Sequence, residues 1–368
     1  MYMLYPGLKG VVAVETLISE IDGNKGKLYY RGYDILDITK SYSFEETAYL
    51  LWYGTFPTID QLNELKSALI LHRFLPSHIE KLICLLPKDM DLMSVIRTAV
   101  SAEGNSSYGW KPTVSQAIKL TAMIPTIIAF RKRFLEGKTL IHPLNNGSHL
   151  ENYLYMLNGD KPVEAHIEAL ETYMILTMEH GMNASTFSAR VTASTESELA
   201  SAITSAIGTM KGPLHGGAPS EVIDLLNEVY TAGDVETVIR AKLSNGEKLM
   251  GFGHRVYKTH DPRSVSLKSK LMELNGEDPW LDLSIQVEEA AVNLLQEFKP
   301  GRALYTNVEF YAAAIMKAIQ MEPTLFTPTF TASRIVGWSA HVIEQAENNV
   351  LFRPQSNYIG MIKERGRV

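Results

Sequence analysis

The sequence predicts an all-α protein with a minor β element at its N-terminus. Strand-like alternation of apolar and polar residues is nearly absent after residue 40. Capping-box patterns stand directly before apolar runs in several places. The later segments carry their apolar residues at helical spacing up to the C-terminal region.

Residues 8–35 read as short strands and turns. Residues 11–14 and 28–30 are strand-like, and Asp22-Gly23-Asn24 is a turn signal. Ser43-Phe44-Glu45-Glu46 is a capping box before an apolar run that stops near Gly54. Thr58-Ile59-Asp60-Gln61 opens a second helix, ending before Pro76. Ser77-His78-Ile79-Glu80 starts a third, bounded by Pro87. Thr195-Glu196-Ser197-Glu198 caps residues 199–210, whose small side chains permit close packing. Segments 220–230, 234–243, 263–274, 281–298, 309–320 and 330–348 complete the helical pattern.

The chain has 368 residues, more than one compact core usually holds, so two domains are expected. Glycine and proline cluster at residues 212–219, 251–253 and 300–301. These clusters suggest a small domain, 216–315, inserted into a large one formed by 1–215 and 316–368. Hydrophobic residues make up 45% and charged residues 21%, which is ordinary globular composition. A net charge of −6 argues against nucleic acid as the main partner. The lone cysteine, Cys84, excludes an internal disulfide and a cysteine-rich metal site, and it reads as a core residue. The N-terminus does not read as a signal peptide, and no apolar run approaches the ~20 residues of a membrane helix. The expected location is the cytoplasm, with no membrane contact. There is no internal repeat and no low-complexity segment.

Two glycine-flanked histidines stand out. His215 lies in a turn rich in glycine and proline, just before a helix. The positive end of a helix dipole disfavours imidazolium, so a neutral His215 suits hydrogen-bond donation to a developing enolate. The plain alternative is a turn histidine. His254 follows Gly251, Phe252 and Gly253, and Arg255, Lys258 and Arg263 come within nine residues. Glycines let the backbone approach a ligand closely, and the basic residues suit a phosphate or carboxylate. A solvated basic loop is the alternative. The Gly-Lys-Ser/Thr ending of a Walker loop is missing, and no strand plainly precedes a dinucleotide fingerprint. His180, with polar residues after an apolar run, reads by itself as a satisfied core histidine.

Glu309 sits near the start of a helix that Asn307 could cap; the helix dipole alone would favour a carboxylate there. Arg334 lies inside an apolar helix and needs an anionic partner if buried. Arg353, at a helix exit, fits a surface role equally well. No histidine pair has metal-ligand spacing, and no Gly-x-Ser-x-Gly elbow is present. No metal is expected.

Residues 29–33, 179–186, 212–217, 251–263, 307–311, Ser333-Arg334 and Arg353-Pro354 resemble, in order, the motifs of citrate synthase. They span nearly the whole chain, and the 251–263 stretch is highly specific. The length is similar to the short form of Gram-positive bacteria and archaea, and the text resembles the minor citrate synthase of bacilli. The resemblance implies two helical domains per subunit, a homodimer, and a site in a cleft that closes against water. It implies condensation of acetyl-CoA with oxaloacetate and water to citrate and CoA, an entry step of the tricarboxylic acid cycle, ending in citryl-CoA hydrolysis. Glu309 would be the base that takes a methyl proton. His215 would hydrogen-bond the thioester oxygen, and His254 would polarise the oxaloacetate carbonyl and supply its proton. His180, Arg263, Arg334 and Arg353 would bind carboxylates, with Arg353 coming from the other subunit. Lys258, Gly251, Phe252 and Gly253 would face coenzyme A, which is substrate; no resident cofactor is implied.

The chemistry needs such a set. A thioester methyl group is a very weak acid, so its deprotonation requires simultaneous enolate stabilisation. Several arginines suit a substrate with two carboxylates. One departure stands out: the family usually has aspartate where this chain has Glu309. One extra methylene displaces the carboxylate by about 1 Å, which can cost on the order of 10²-fold in rate. The helix shifts to compensate, the enzyme is slow, or the acyl-CoA preference changes. The alternatives are therefore a 2-methylcitrate synthase using propionyl-CoA, or a weakly active relative kept for binding or regulation.

Overall fold

The computed structural model describes residues 4–216, 218–274, 279–302 and 304–362. Near the N-terminus, β1 (Ser19–Asp22), β2 (Lys27–Tyr30) and β3 (Tyr33–Asp34) form an antiparallel sheet in the order β1-β2-β3. Asp22 pairs with Lys27 across the first turn, and its Oδ1 accepts the N–H groups of Asn24 and Lys25. The turn signal at Asp22 is thus realised. Residues 11–14 form no strand: they find no partner to complete a ladder, and Val12 is 87% exposed.

Sixteen α-helices follow among the described residues. They are α1 (Ile35–Ser41), α2 (Phe44–Tyr53), α3 (Ile59–His72), α4 (Ser77–Leu85), α5 (Leu92–Glu103), α6 (Val114–Leu135), α7 (His149–Asn158) and α8 (Glu164–Thr177). Then come α9 (Ala184–Ala193), α10 (Leu199–Met210), α11 (Ala218–Ala232), α12 (Val235–Ser244), α13 (Pro262–Glu273), α14 (Pro279–Phe298), α15 (Val308–Ala318) and α16 (Phe326–Glu347).

The capping boxes at Ser43 and Thr58 form with both reciprocal bonds, and Gly54 ends α2 in the left-handed conformation. Two others do not. Ser77 is already the first helical residue of α4, behind Pro76, which makes no side-chain cap. The Thr195 hydroxyl bonds back to the Thr192 carbonyl instead, and α10 starts after Glu198 without a side-chain cap.

The core is centred on α16, where Trp338 and Arg334 are both buried. It packs against α2, α6, α8, α9 and α10. Helix α10 lies against α9 and α5, as its small residues allow. Helices α11 to α15 pack chiefly on one another, with α13 and α15 resting on α8. No helix among the described residues is long and apolar enough to cross a membrane.

Cys84 is exposed, contrary to its reading as core. The buried stripe of α4 is Ile79 and Ile83, four residues apart, and Cys84 stands about 100° further round the helix. Its thiol borders a mainly apolar cavity of about 560 Å³ walled by Phe74, Leu85, Phe130 and Leu140.

Candidate active site

The residues singled out in the sequence come from six places: the α8–α9 turn, the α10–α11 turn, the loop before α13, the start of α15, the middle of α16 and the segment after it. The α10–α11 turn folds back on Gly212, whose carbonyl accepts the N–H groups of His215 and Gly216. Gly217, the last residue of that motif, lies outside the described residues. His215 Nε2 is 2.7 Å from Ser185 Oγ on α9. That hydroxyl also accepts from Trp338 Nε1 at 3.0 Å and reaches Asn183 Oδ1 at 2.8 Å. The His215 pKa is pushed down to about 4, first by burial and then by the Arg334 charge. Burial, with the Arg334 charge, keeps this imidazole neutral.

His254 Nδ1 accepts the N–H groups of Val256 at 3.0 Å and Tyr257 at 3.1 Å. With Nδ1 an acceptor, the ring proton sits on Nε2. Burial and then Arg263 push the His254 pKa down to about 4. The His180 ring meets His254 edge-on, with centroids 5.5 Å apart, and His180 Nε2 is 3.1 Å from the Tyr257 hydroxyl. Burial, Arg263 and His254 hold the His180 pKa well below the usual histidine value. His180 is thus no isolated core residue; it is one of two facing imidazoles.

Arg263 is buried and held in a two-point bond by Asp261, at 3.0 and 2.8 Å. Burial would lower its pKa, but the Asp261 carboxylate outweighs this and raises it. Asp261 also caps α13 and accepts the Val308 N–H, so one carboxylate joins the starts of α13 and α15. Arg263 Nη2 lies 3.4 Å from His254 Nε2. Arg334 donates from Nε to the Thr177 carbonyl at 2.6 Å and stacks over Phe330 at 4.7 Å. No carboxylate forms an ion pair with it among the described residues. Burial lowers its pKa to about 10.

Glu309 occupies the first turn of α15. Asn307 Oδ1 accepts its N–H, while Asn307 Nδ2 donates to the Gly253 carbonyl at 3.0 Å. Backbone bonds from Gly253 to Tyr305 and from Asn307 to Gly251 stitch the glycine loop to this segment. Burial pushes the Glu309 pKa up to about 7; Arg263 opposes the rise, and Asp261 and Glu221 add to it.

Gly251 and Gly253 have φ of +86° and +81°. A Cβ at Gly251 would lie 3.0 Å from Phe310 and Val222, and one at Gly253 2.9 Å from Leu304. The close approach is therefore to the protein's own side chains. The Phe252 ring packs on Phe310, centroids 5.1 Å apart. The Lys258 side chain is exposed, and its N–H donates to Gly23 of the β1–β2 turn. Arg353 is exposed beyond α16, and no hydrogen bond or ion pair joins it to the other site residues among those described.

Sequence reasoning missed Ser185, Asp261, Tyr257 and Thr177. Only Asp261 carried a local signal, an aspartate before a proline at a helix start.

A family model described as citrate synthase, C-terminal domain, matches residues 7–355. Citrate synthase 2 of Bacillus subtilis (strain 168) is 40% identical, covering 98% of this chain and 96% of its own length. The 2-methylcitrate synthase of Shewanella oneidensis is 37% identical, over 96% and 94%. The crystal structure of citrate synthase from Thermotoga maritima superposes with a TM-score of 0.88 at 38% identity, covering 99% and 98%. The ternary complex of Thermoplasma acidophilum citrate synthase with carboxymethyl coenzyme A and oxaloacetate gives 0.90 at 30% identity, covering 99% and 98%. Fold, spacing and likeness along nearly the whole length agree: this chain belongs to the citrate synthase family.

Proposed function

We propose that the protein condenses acetyl-CoA with oxaloacetate and water to give citrate and CoA. The observation that carries this is a carboxyl group, Glu309, pushed up to about 7 and two imidazoles pushed down to about 4, each feeling the charge of a buried arginine: Arg263 for Glu309 and His254, Arg334 for His215. A base matched to neutral pH and two neutral N–H donors are what enolate chemistry requires.

In this reading Glu309 takes a proton from the acetyl methyl group. His215 donates a ring N–H to the thioester oxygen as enolate charge develops; for that proton to sit on Nδ1, the Ser185 hydroxyl turns from Asn183 Oδ1 to donate to His215 Nε2. The enolate carbon attacks the oxaloacetate carbonyl. His254 Nε2–H polarises that oxygen and passes its proton to the alkoxide. Arg263 Nη2, 3.4 Å from the same nitrogen, converges on the same ligand. Arg334, a buried cation with no carboxylate partner among the described residues, takes a substrate carboxylate, with His180 beside it. Water then cleaves the citryl thioester.

The enzyme acts, in this reading, as a cytoplasmic homodimer in which Arg353 completes the partner's site. The segment after α16 supports a second copy: Tyr358, Ile359, Met361 and Ile362 are all largely exposed. The packing of α11 to α15 chiefly on one another supports the division into 216–315 and the rest. Lys258, whose side chain is exposed, faces coenzyme A, and the 251–253 backbone, bonded to Tyr305 and Asn307, holds the loop that carries it.

Thiol release from acetyl-CoA in the presence of oxaloacetate tests the reading. If neither wild type nor Glu309→Asp releases CoA with acetyl- or propionyl-CoA, it fails. The Shewanella relative keeps a second reading open, 2-methylcitrate synthase. One methylene is worth about 1–3 kcal/mol of discrimination, so the ratio of kcat/KM for the two donors separates them.

A further inference from the structure

Behind the site lies a buried polar network that no step above uses. At its centre is Arg190 of α9, 2% exposed. Its Nε and Nη2 lie 3.0 and 2.7 Å from His341 Nδ1, and Nη1 donates to Gln345 Oε1 at 3.0 Å. Nη2 also donates to a Glu344 carboxylate oxygen. Residues 341, 344 and 345 share one face of α16, so one planar fork meets all three.

Two arms leave this fork. His341 Nδ1 accepts from Arg190, which puts the ring proton on Nε2; that nitrogen lies 3.0 Å from Oε1 of the buried Glu179, a close polar contact outside hydrogen-bond geometry. The same oxygen accepts the Ser19 hydroxyl and the Gly181 N–H. Glu179 and Gly181 flank His180, so this arm sets the turn that presents His180. In the other arm, Gln345 Nε2 donates to Asn349 Oδ1 at 3.2 Å and to the Val350 carbonyl at 3.4 Å. Asn349 Nδ2 donates to the Ser194 carbonyl, and the Phe352 N–H to the Ser194 hydroxyl. Ser194 ends α9, the helix of Arg190, and Arg353 is the next residue after Phe352.

We propose that Arg190 is a positioning residue for substrate carboxylate binding at two sites at once. Through His341 and Glu179 it sets His180 in its own subunit. Through Gln345 and Asn349 it aims the segment that carries Arg353 to the partner's site. An exposed arginine on a free coil would lose much of its binding energy to ordering, and pinning the preceding residues removes that cost in advance. The proposal rests on the reading of Arg353 as a ligand in the partner's site.

Arg190→Lys keeps the charge and loses the fork. Because that site is buried, Gln345→Leu and His341→Gln test the two arms separately. Each is expected to raise the oxaloacetate KM about tenfold, the scale of one lost charge-assisted bond, with the acyl-CoA KM near wild type. Mixed dimers sharpen the test. One subunit carries His215→Ala, so that only its wild-type partner turns over. Gln345→Leu on the inactivated subunit should still raise the oxaloacetate KM, whereas His341→Gln on that subunit should not. A fall in Tm with an unchanged oxaloacetate KM, or a Gln345→Leu effect confined to its own subunit, overturns the proposal. If Arg353→Ala raises the oxaloacetate KM while Gln345→Leu does not, the Arg190 proposal alone fails. If Arg353→Ala leaves it unchanged, the reading of Arg353 fails and the proposal goes with it.

Discussion

At the residue scale, Glu309 shows how far environment can move a side chain from its ordinary chemistry. Burial pushes its pKa up to about 7, while the same effect pushes His215 and His254 down to about 4. Around neutral pH the base is partly ionised and both donors are neutral. The kcat/KM profile should therefore fall on the acid side with an apparent midpoint near 7, set by Glu309, and the histidines should not limit it until about pH 4. A midpoint near the ordinary carboxylate value would contradict this. The raised pKa also makes a stability prediction. Between about 4.5 and 7 the folded state binds the Glu309 proton and the unfolded state does not, so this group lowers stability as pH rises through that window. Glu309→Gln should be inactive yet melt higher than wild type at pH 8, with the difference shrinking toward pH 4.5. Thermal unfolding at the two pH values checks it. His215 and His254 drew attention through local glycine, proline and charge settings, whereas Glu309 and the arginines gained their expected roles from the family resemblance. Ser185 was not legible, because what makes it matter is a partner brought close by folding, His215, 30 positions later; Asp261 had its local signal before Pro262, but its bond to the Val308 N–H, 47 positions later, was hidden.

At the element scale, the start of α15 is where packing becomes chemistry. Asn307 caps the helix through Oδ1 and holds the glycine loop through Nδ2. Asn307→Ala removes both, and should cost about 1–2 kcal/mol of stability together with a large loss of kcat. Ser43→Ala, at the α2 cap, removes a similar bond on a helix that carries none of the site residues. It should cost about 1 kcal/mol and leave kcat unchanged. Measuring Tm and kcat for both variants separates a cap that only stabilises from one that also aims a base. If Asn307→Ala keeps its kcat, the positioning claim fails. The same elements mark how far helix signals reach. The Ser43 and Thr58 boxes were legible because capping is a four-residue pattern. The Ser77 and Thr195 patterns misled because a preceding proline and a competing backbone carbonyl offered those ends other solutions. Helices α5 to α9 went largely unread. In α6 and α8 nearly every face is buried, so the polar stripe that makes helical periodicity visible is faint.

At the scale of the whole molecule, the buried titrating groups make the fold sensitive to acid. Burial holds His149 down to about 3, His215 and His254 to about 4, and His180 well below the ordinary value. Below about pH 6.5 the unfolded chain binds protons at these imidazoles and the folded chain does not, so each contributes stability that is lost as pH falls from 6.5 toward 4. Glu171 and Glu309 act in the opposite sense. Their folded pKa values are pushed up to about 7, first by burial, and they favour the folded state as pH falls from 7 to 4.5. Four imidazoles outnumber two carboxyls, so the net effect of these groups in the shared window is a loss of stability toward acid. Below that window the depressed carboxylates of Glu179, Glu288 and Glu344 add to the loss. The imidazole share of the acid limb can be isolated at His149, which is fully buried and stacks on Phe44 at 4.9 Å. Neither of its ring nitrogens has a hydrogen-bond partner among the described residues. His149→Phe keeps the stacked ring, discards two unpaired polar atoms and removes one proton from the linkage. It should leave kcat and both KM values unchanged, hold or raise Tm at pH 7, and make the fall of Tm between pH 6.5 and 4 shallower. A Tm curve of unchanged steepness would show that the acid sensitivity resides elsewhere.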